Sequence, residues 1–274
     1  MGRRADHLAT WVVSREWVLI VIAGALALGS IPIALGHIGL SWDGLNHHIY
    51  LGWSAEHNRF DNDYLAASYQ AYTFPYLYWP VYRLALAGAS GITAGIVLAM
   101  IHVMAVPAIW LLARTCIPGS SWFDLTMRWL AVALAFMSGV VLSFFDSTAN
   151  DLSAAIPLLW SVALAFQPWD AHRPRRLRPH RALLLSGFLA GVSVAFKLSN
   201  GPIAILLPLV WIAQPGTLRD RLSLVLQACV LSAVGFAACY GYWGVQLWTH
   251  FGNPIYPFYD SWFEPVRALA GWSR

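Results

Sequence analysis

Long apolar stretches separated by short polar segments dominate this chain of 274 residues. A helix rises about 1.5 Å per residue, so roughly 20 residues cross a hydrocarbon core of about 30 Å. Three of the seven stretches, the first, second and seventh, reach that length. The other four are shorter and must tilt little, thin the bilayer or break within it. The stretches are 17–39, 84–113, 129–145, 152–167, 182–197, 201–213 and 223–248.

Composition strengthens the membrane interpretation. Apolar residues make up 58% of the chain and charged residues 11%, against about 45–50% and about 25% in soluble domains. That balance excludes a soluble enzyme, a secreted disulfide scaffold and a disordered chain. The three cysteines lie in or beside apolar stretches without metal-binding spacing, which is typical of packing residues. We therefore predict an all-α, polytopic membrane bundle of about seven transmembrane helices, forming one domain over 1–274.

The arginine distribution predicts the orientation. With a cytoplasmic N-terminus and seven crossings, twelve of the 17 basic residues fall on the inner side, including a basic loop at 168–182. Because these arginines sit at the ends of apolar stretches, they indicate topology and not a nucleic-acid partner. The inner residues are Arg3, Arg4, Arg15, Arg114, Arg128, Arg173, Arg175, Arg176, Arg178, Arg181, Arg219 and Arg221.

The stretches 182–197 and 201–213 leave the number of crossings open. A single helix through both would be about 48 Å long, too long for one crossing. Gly201-Pro202 lies between them and is expected to end or kink a helix. We predict two short helices that meet near the outer surface. The alternative, one broken span, would place Arg219 and Arg221 outside.

The segment 40–82 is predicted to lie outside the membrane and is rich in aromatic and acidic residues. Positions 44–57 can form an amphipathic helix on the membrane surface, with Leu45, Ile49 and Trp53 on one stripe. Asp43 precedes this helix. It is therefore either an N-cap of that helix or a functional carboxylate.

Three other predicted outer segments also carry polar residues: Asp146–Asp151, Lys197–Asn200 and His250–Phe258. A charged group at the edge of a membrane helix is costly unless it is paired or used. An acid beside a cation at a lipid interface suits a substrate with a phosphate leaving group. The carboxylate takes a proton from an attacking hydroxyl, and the lysine neutralises the phosphate.

Simpler roles compete with this chemistry. Lys197 can snorkel to the surface as an ordinary helix end. Asp43, His47 and His48 are able to hold a divalent ion, but spacing alone is a weak signal, so we assign no metal. No glycine-rich phosphate loop follows a strand, and no cofactor is predicted.

Two motifs carry a resemblance to a known family. The string Trp42–Trp53, followed by Asn58-Arg-Phe, resembles the first outer loop of bacterial integral-membrane glycosyltransferases of the GT-C superfamily. The later string Gly252–Phe258 resembles a segment found in one branch of that superfamily, as do the polar corners at Asn150-Asp151 and Lys197–Asn200.

The resemblance implies a module of seven transmembrane helices that transfers a sugar from a polyprenyl-phosphate donor, usually with inversion. The acceptor would be an envelope glycan, lipid or protein on the outer face of the bacterial inner membrane. Carried over, Asp43 is the catalytic base and Lys197 contacts the lipid phosphate. The remaining substrate-binding residues would be His47, His48, Asn150, Asp151, Asn200, Asn253 and Tyr256.

Family members usually continue with further helices or an outer domain, so we expect a truncated, minimal or inactive relative. The competing hypothesis is a non-catalytic membrane scaffold for envelope polysaccharide assembly, built on the same module. A small-molecule transporter is disfavoured, since transporters place polar or broken-helix features near the midplane, often in two repeated halves.

Overall fold

The computed structural model describes residues 2–39, 41–169 and 178–272, and helices dominate it. The α-helices are α1 (Gly2–Leu35), α2 (Ile49–Ser54), α3 (Trp79–Leu86), α4 (Gly91–Val103), α5 (Val106–Cys116), α6 (Trp122–Phe136), α7 (Gly139–Ser143), α8 (Asp151–Phe166), α9 (Pro179–Phe196), α10 (Gly201–Ala204), α11 (Leu207–Ile212), α12 (Leu218–Phe251) and α13 (Asp260–Leu269). The other elements are a π-helix (Gly44–His48), a short extended segment β1 (Ala66–Tyr69) and the 3-10 turns Gln70–Tyr72, Phe144–Asp146, Gln167–Trp169 and Leu198–Asn200.

Several helices are long and apolar enough to cross a membrane. Within the described residues there are five of them, or six if the pair α6 and α7 is one span bent by 63°. The chain is thus a multi-pass, all-helical membrane protein by length and composition, whereas seven crossings stay a prediction. The five helices are Ser14–Leu35, Gly91–Cys116, Asp151–Trp169, Pro179–Phe196 and Leu218–Phe251.

A buried ion pair joins the first half of the bundle. Arg128 on α6 donates to both carboxylate oxygens of Glu16 on α1, at 2.8 Å each, and both side chains are 2% exposed. The same guanidinium donates to the carbonyl oxygens of Ile117 and Gly119 between α5 and α6. One arginine therefore fixes α1, α6 and the α5–α6 turn together.

Helices α9 and α12 pack closely and run in the same direction. A Cβ at Gly187 would meet the carbonyl oxygen of Ala228, and one at Gly191 would meet that of Ser232. Small residues at these positions let the two backbones approach closely. Because α9 and α12 are parallel, the chain between them must return along the length of α9.

The return path is formed by α10 and α11, which are too short to count as spans alone. Trp211 Nε1 donates to Ser186 Oγ in the first half of α9, and Gln214 lies beside the Ala165 carbonyl near the end of α8. The chain thus reverses direction after α9 at the Gly201-Pro202 break, whereas a membrane crossing by α10 and α11 stays a prediction.

The 40–82 segment packs over the end of the bundle where α9 and α12 finish. Trp243 Nε1 on α12 donates to the Tyr72 carbonyl, and the Phe60 ring contacts Trp243 and Phe251. These contacts cover one end of the bundle, the end that contains Lys197.

Most of the predicted basic loop at 168–182 lies outside the described residues.

Candidate functional site

A cavity of about 680 Å³ opens at the covered end of the bundle. It is bounded by the 40–82 segment, the start of α8, the end of α9, Tyr240 of α12 and the chain between α12 and α13. Its volume falls in the range of small-molecule sites, about 300–1,000 Å³. The predicted site residues that line it are Asp43, His47, His48, Asn150, Asp151 and Lys197.

The first wall of the cavity is the π-helix and the turn before it. The predicted amphipathic helix over 44–57 is present but ends earlier, as the π-helix followed by α2. Leu45 and Ile49 point outward, whereas His47 and His48 are buried on the other side. Two of the three residues of the predicted stripe therefore face away from the protein, as a membrane-surface helix requires, whereas Trp53 is half-buried.

Asp43 is not an N-cap. Its backbone is already helical, with φ −64° and ψ −41°, and its side chain makes no capping hydrogen bond. Ser41 supplies that contact instead, since its Oγ accepts from the Gly44 amide at 3.0 Å. The capping interpretation is wrong because the helix begins earlier than expected. The Asp43 carboxylate is 57% exposed and 3.7 Å from His47 Nε2.

His48 is held between a hydroxyl and an aromatic ring. Its Nδ1 lies 2.6 Å from Thr148 Oγ1, and its ring stacks on Tyr78 with centroids 4.6 Å apart. Burial lowers the pKa of His48 to about 4, with the neighbouring His47 adding to the shift. His48 is consequently a neutral imidazole at physiological pH.

Lys197 and Asp151 form the charged pair of the opposite wall. Lys197 Nζ donates to Asp151 Oδ1 at 2.5 Å and lies 3.5 Å from the Asn150 side-chain oxygen. Asp151 begins α8 and Lys197 follows α9, so each charge lies at the helix end that favours it. The ammonium is partly exposed, at 33%, and a ligand in the cavity can reach it.

Aromatic rings form the rest of the wall. Phe74 stacks against both Phe196 and Tyr240 with centroids 5.9 Å apart. Tyr78 is buried, which raises the pKa of its phenol well above the ordinary value and keeps it protonated. The sequence predicts that the 40–82 segment is rich in aromatic residues but does not single out any of its rings. The cavity-lining rings that it missed are Tyr69, Phe74, Tyr78, Phe196, Tyr240, Phe258 and Tyr259.

Three other predicted substrate-binding residues do not line the cavity. Asn200 Nδ2 donates to the carbonyls of Ala154 and Ser193, each at 3.0 Å, and so ties α8 to α9. Asn253 is fully buried and bonds to backbone and carboxylate groups of its own turn. Tyr256 stacks on Phe251 with centroids 4.3 Å apart. All three support the cavity walls.

Comparison of the chain with protein-family models, with curated proteins and with solved structures gives no match. The chemistry of the cavity must therefore be inferred from its own groups. An accessible carboxylate, a paired ammonium, two buried histidines and aromatic walls are gathered in one place. Such a site can bind a polar ligand with an anionic group and accept a proton from it.

Proposed function

We propose that the chain is a membrane glycosyltransferase of the GT-C type, which transfers a sugar from a polyprenyl-phosphate donor to an envelope glycan, lipid or protein. The observation that carries the proposal is the meeting of Asp43 with Asn150, Asp151 and Lys197 around one cavity. These residues come from three separate parts of the sequence, and each part carries the resemblance to that superfamily. A membrane bundle of helices is the setting that such a lipid-linked donor needs.

In the proposed reaction Asp43 acts as the general base. An acceptor hydroxyl attacks the anomeric carbon of the donor sugar and loses its proton to the Asp43 carboxylate. The bond between that carbon and the phosphate oxygen breaks, and polyprenyl phosphate leaves with the electron pair. A single displacement of this kind inverts the anomeric configuration. The exposure of Asp43 toward the cavity gives an acceptor access to it.

Lys197 has the complementary role in this proposal. Its ammonium neutralises the phosphate as negative charge builds on the leaving oxygen. Asp151 holds the ammonium at the cavity wall before the donor binds, and Asn150 adds a second polar contact. When the donor binds, its phosphate would replace Asp151 as the ion-pair partner of Lys197.

Aromatic walls and membrane topology complete the proposal. The rings of Phe74 and Tyr240 offer flat apolar surfaces for a sugar face. Seven crossings with a cytoplasmic N-terminus would place the cavity on the outer face of the bacterial inner membrane. That is where lipid-linked sugars of the envelope are used.

The first test is sugar transfer by the full chain in nanodiscs, offered a panel of polyprenyl-phosphate sugars. Asp43→Asn keeps the side-chain size but removes the base, so turnover should fall by about 10²–10⁴-fold with folding intact. Asp61→Asn is the matched control. Asp61 lies in the same 40–82 segment, but its carboxylate is 86% exposed and outside the cavity.

Transfer or slow donor hydrolysis by the wild type, lost in Asp43→Asn and kept in Asp61→Asn, would support the enzyme and its base together. If no donor is turned over and none raises the thermal stability of the wild type, the enzyme proposal fails. The non-catalytic scaffold would then be the better account of this fold.

A further inference from the structure

Asp43, His47 and His48 bring three groups together that can each ligate a metal ion. One ligand atom from each residue can be chosen so that all three lie within 4.8 Å of one another. All three residues line the cavity, with the histidines buried and the aspartate exposed. We infer that Asp43, His47 and His48 form a binding site for a divalent transition-metal ion such as Zn²⁺.

The π-helix is what places the three residues on one face. An α-helix turns about 100° per residue, so the fifth residue after Asp43 would point about 140° away from it. A π-helix closes hydrogen bonds to the fifth residue and turns only roughly 80° per residue. Over Gly44–His48 the smaller rotation places the side chains of His47 and His48 within about 50° of the direction of the Asp43 side chain, viewed down the helix axis. The unusual helix thus converts two adjacent histidines into a convergent pair.

His47 has unused ligand capacity. Its side chain is 6% exposed, and in the described part of the chain neither ring nitrogen makes a hydrogen bond. The closest charged partner, Asp43 Oδ1, lies 3.7 Å from Nε2, beyond hydrogen-bond distance. Neither nitrogen is fully enclosed, so a cation between His47 and Asp43 can reach the ring from the cavity.

His48 has the arrangement expected of a metal ligand. Its Nδ1 is engaged by Thr148 Oγ1 at 2.6 Å, which leaves Nε2 for a metal. Ligating histidines commonly use their second nitrogen in this way, because the contact fixes the tautomer and the ring orientation. Gly44 makes the contact possible, since a Cβ there would lie 3.0 Å from Thr148 Oγ1. Stacking on Tyr78 also restrains the ring.

The ligand types select the class of metal. Two imidazoles and one carboxylate suit Zn²⁺ and similar first-row ions, whereas Mg²⁺ and Ca²⁺ prefer oxygen ligands alone. Tetrahedral Zn²⁺ with bonds of about 2.0–2.1 Å needs ligand atoms about 3.3 Å apart. His47 and Asp43 are already at 3.7 Å. The three candidate ligand atoms lie within 4.8 Å of one another, so binding would draw the most distant pair together by up to about 1.5 Å.

Three protein ligands leave a fourth position open, as in catalytic zinc sites. All three ligand residues line the cavity, and Lys197 is part of the same lining. An anionic oxygen in the cavity would be attracted by both the metal ion and the ammonium. The metal ion would bind the same carboxylate that serves as the base in the proposed function, so the bound ion would weaken Asp43 as a base. Binding of the metal does not itself rest on the proposed function.

Cobalt is a suitable probe because Co²⁺ replaces Zn²⁺ and its visible spectrum reports the ligands. The full chain, stripped of metal and held in nanodiscs, should bind one Co²⁺ tightly. His47→Ala and His48→Ala should weaken binding at least about 10-fold, and Thr148→Val about 10–100-fold. His57→Ala is the matched control, since that exposed histidine stacks on Trp53 away from the cavity.

Failure of the wild type to bind Co²⁺, or equal binding by all histidine variants, would overturn the metal site. If a buried histidine variant does not fold, Asp43→Ala at the exposed ligand gives the same test. The outcome is separate from the enzyme proposal. Co²⁺ binding without sugar transfer counts against the glycosyltransferase alone, whereas transfer by a chain that binds no Co²⁺ counts against the metal site alone.

Discussion

At the scale of single residues, charged groups in this protein are found in two different settings. Arg128 and Glu16 are buried together and fully hydrogen-bonded, far from the cavity. Lys197 and Asp151 form a partly exposed pair inside it. Removing Arg128 or Glu16 leaves the other charge buried without a partner. Lys197, in contrast, is partly exposed and can pair with a ligand in place of Asp151. The two pairs should therefore respond differently to mutation.

Arg128→Met should lower the free energy of unfolding by about 3–5 kcal/mol, because the Glu16 carboxylate and two carbonyls lose their partner. Denaturant titration in detergent measures the change. The double variant with Glu16→Leu should recover much of the loss. Arg83→Met is the control, since its pair with Glu56 is half exposed and worth at most about 1 kcal/mol. If Arg128→Met lowers the free energy of unfolding by no more than Arg83→Met does, the assigned role of Arg128 is contradicted.

Lys197→Ala should raise the KM for the donor by about 10–100-fold, because a hydrogen bond to a charged group contributes about 1.5–3 kcal/mol. It should also lower kcat, because the leaving phosphate loses its neutralising charge. Lys197→Arg keeps the charge and should recover part of the affinity. Initial rates over a series of donor concentrations separate KM from kcat. An unchanged KM in Lys197→Ala would show that the lysine has no contact with the donor phosphate.

At the scale of helices, the contact between α9 and α12 determines where the cavity walls lie. α9 ends beside Lys197, and α12 carries Tyr240, which also lines the cavity. Glycines at the contact let the two backbones approach closely. A larger residue there would push the helices apart and move both walls.

Gly191→Leu should destabilise the bundle by about 1–3 kcal/mol or more, because the added side chain meets the Ser232 carbonyl. The same change at Gly241 on α12 is the control, since a Cβ there has no neighbour within 4 Å. Unfolding midpoints of the two variants give the comparison. Equal midpoints would mean that the close approach of α9 and α12 contributes nothing.

At the scale of the whole molecule, the number of crossings decides which side of the membrane the cavity faces. The described helices include five or six that could span. The parallel arrangement of α9 and α12 adds a return path through α10 and α11. With seven crossings, the start of α12 lies inside and α13 lies outside. If 182–213 is instead one broken span, the start of α12 lies outside and α13 lies inside.

Single-cysteine labelling distinguishes these topologies. In a background without the three native cysteines, Tyr64→Cys and Leu269→Cys should react with a membrane-impermeant maleimide added to spheroplasts, and Leu218→Cys should not. All three side chains are exposed in the protein, so access depends on the membrane alone. Labelling at position 218 but not at 269 would instead indicate one broken span over 182–213.

The sequence alone was sufficient for a multi-pass, all-helical membrane protein and for a break at Gly201-Pro202, whereas the number of crossings stays a prediction. These features depend on local composition and on spacing within one helix, which any helical arrangement of the chain preserves. Polar residues near helix ends were also visible in the sequence. Six of the predicted residues do line the cavity.

Only the tertiary structure decided which of those polar residues meet. Asn200 bonds to backbone carbonyls of α8 and α9, and Asn253 bonds within its own turn and to Asp260. No sequence pattern distinguishes them from Asn150, which lines the cavity. Asp43 and His48 converge because a π-helix changes the angle between them. Contacts between distant segments form only when the whole chain packs together. The change from α-helical to π-helical rotation at Gly44–His48 also depends on that packing, so neither feature can be read from local sequence patterns.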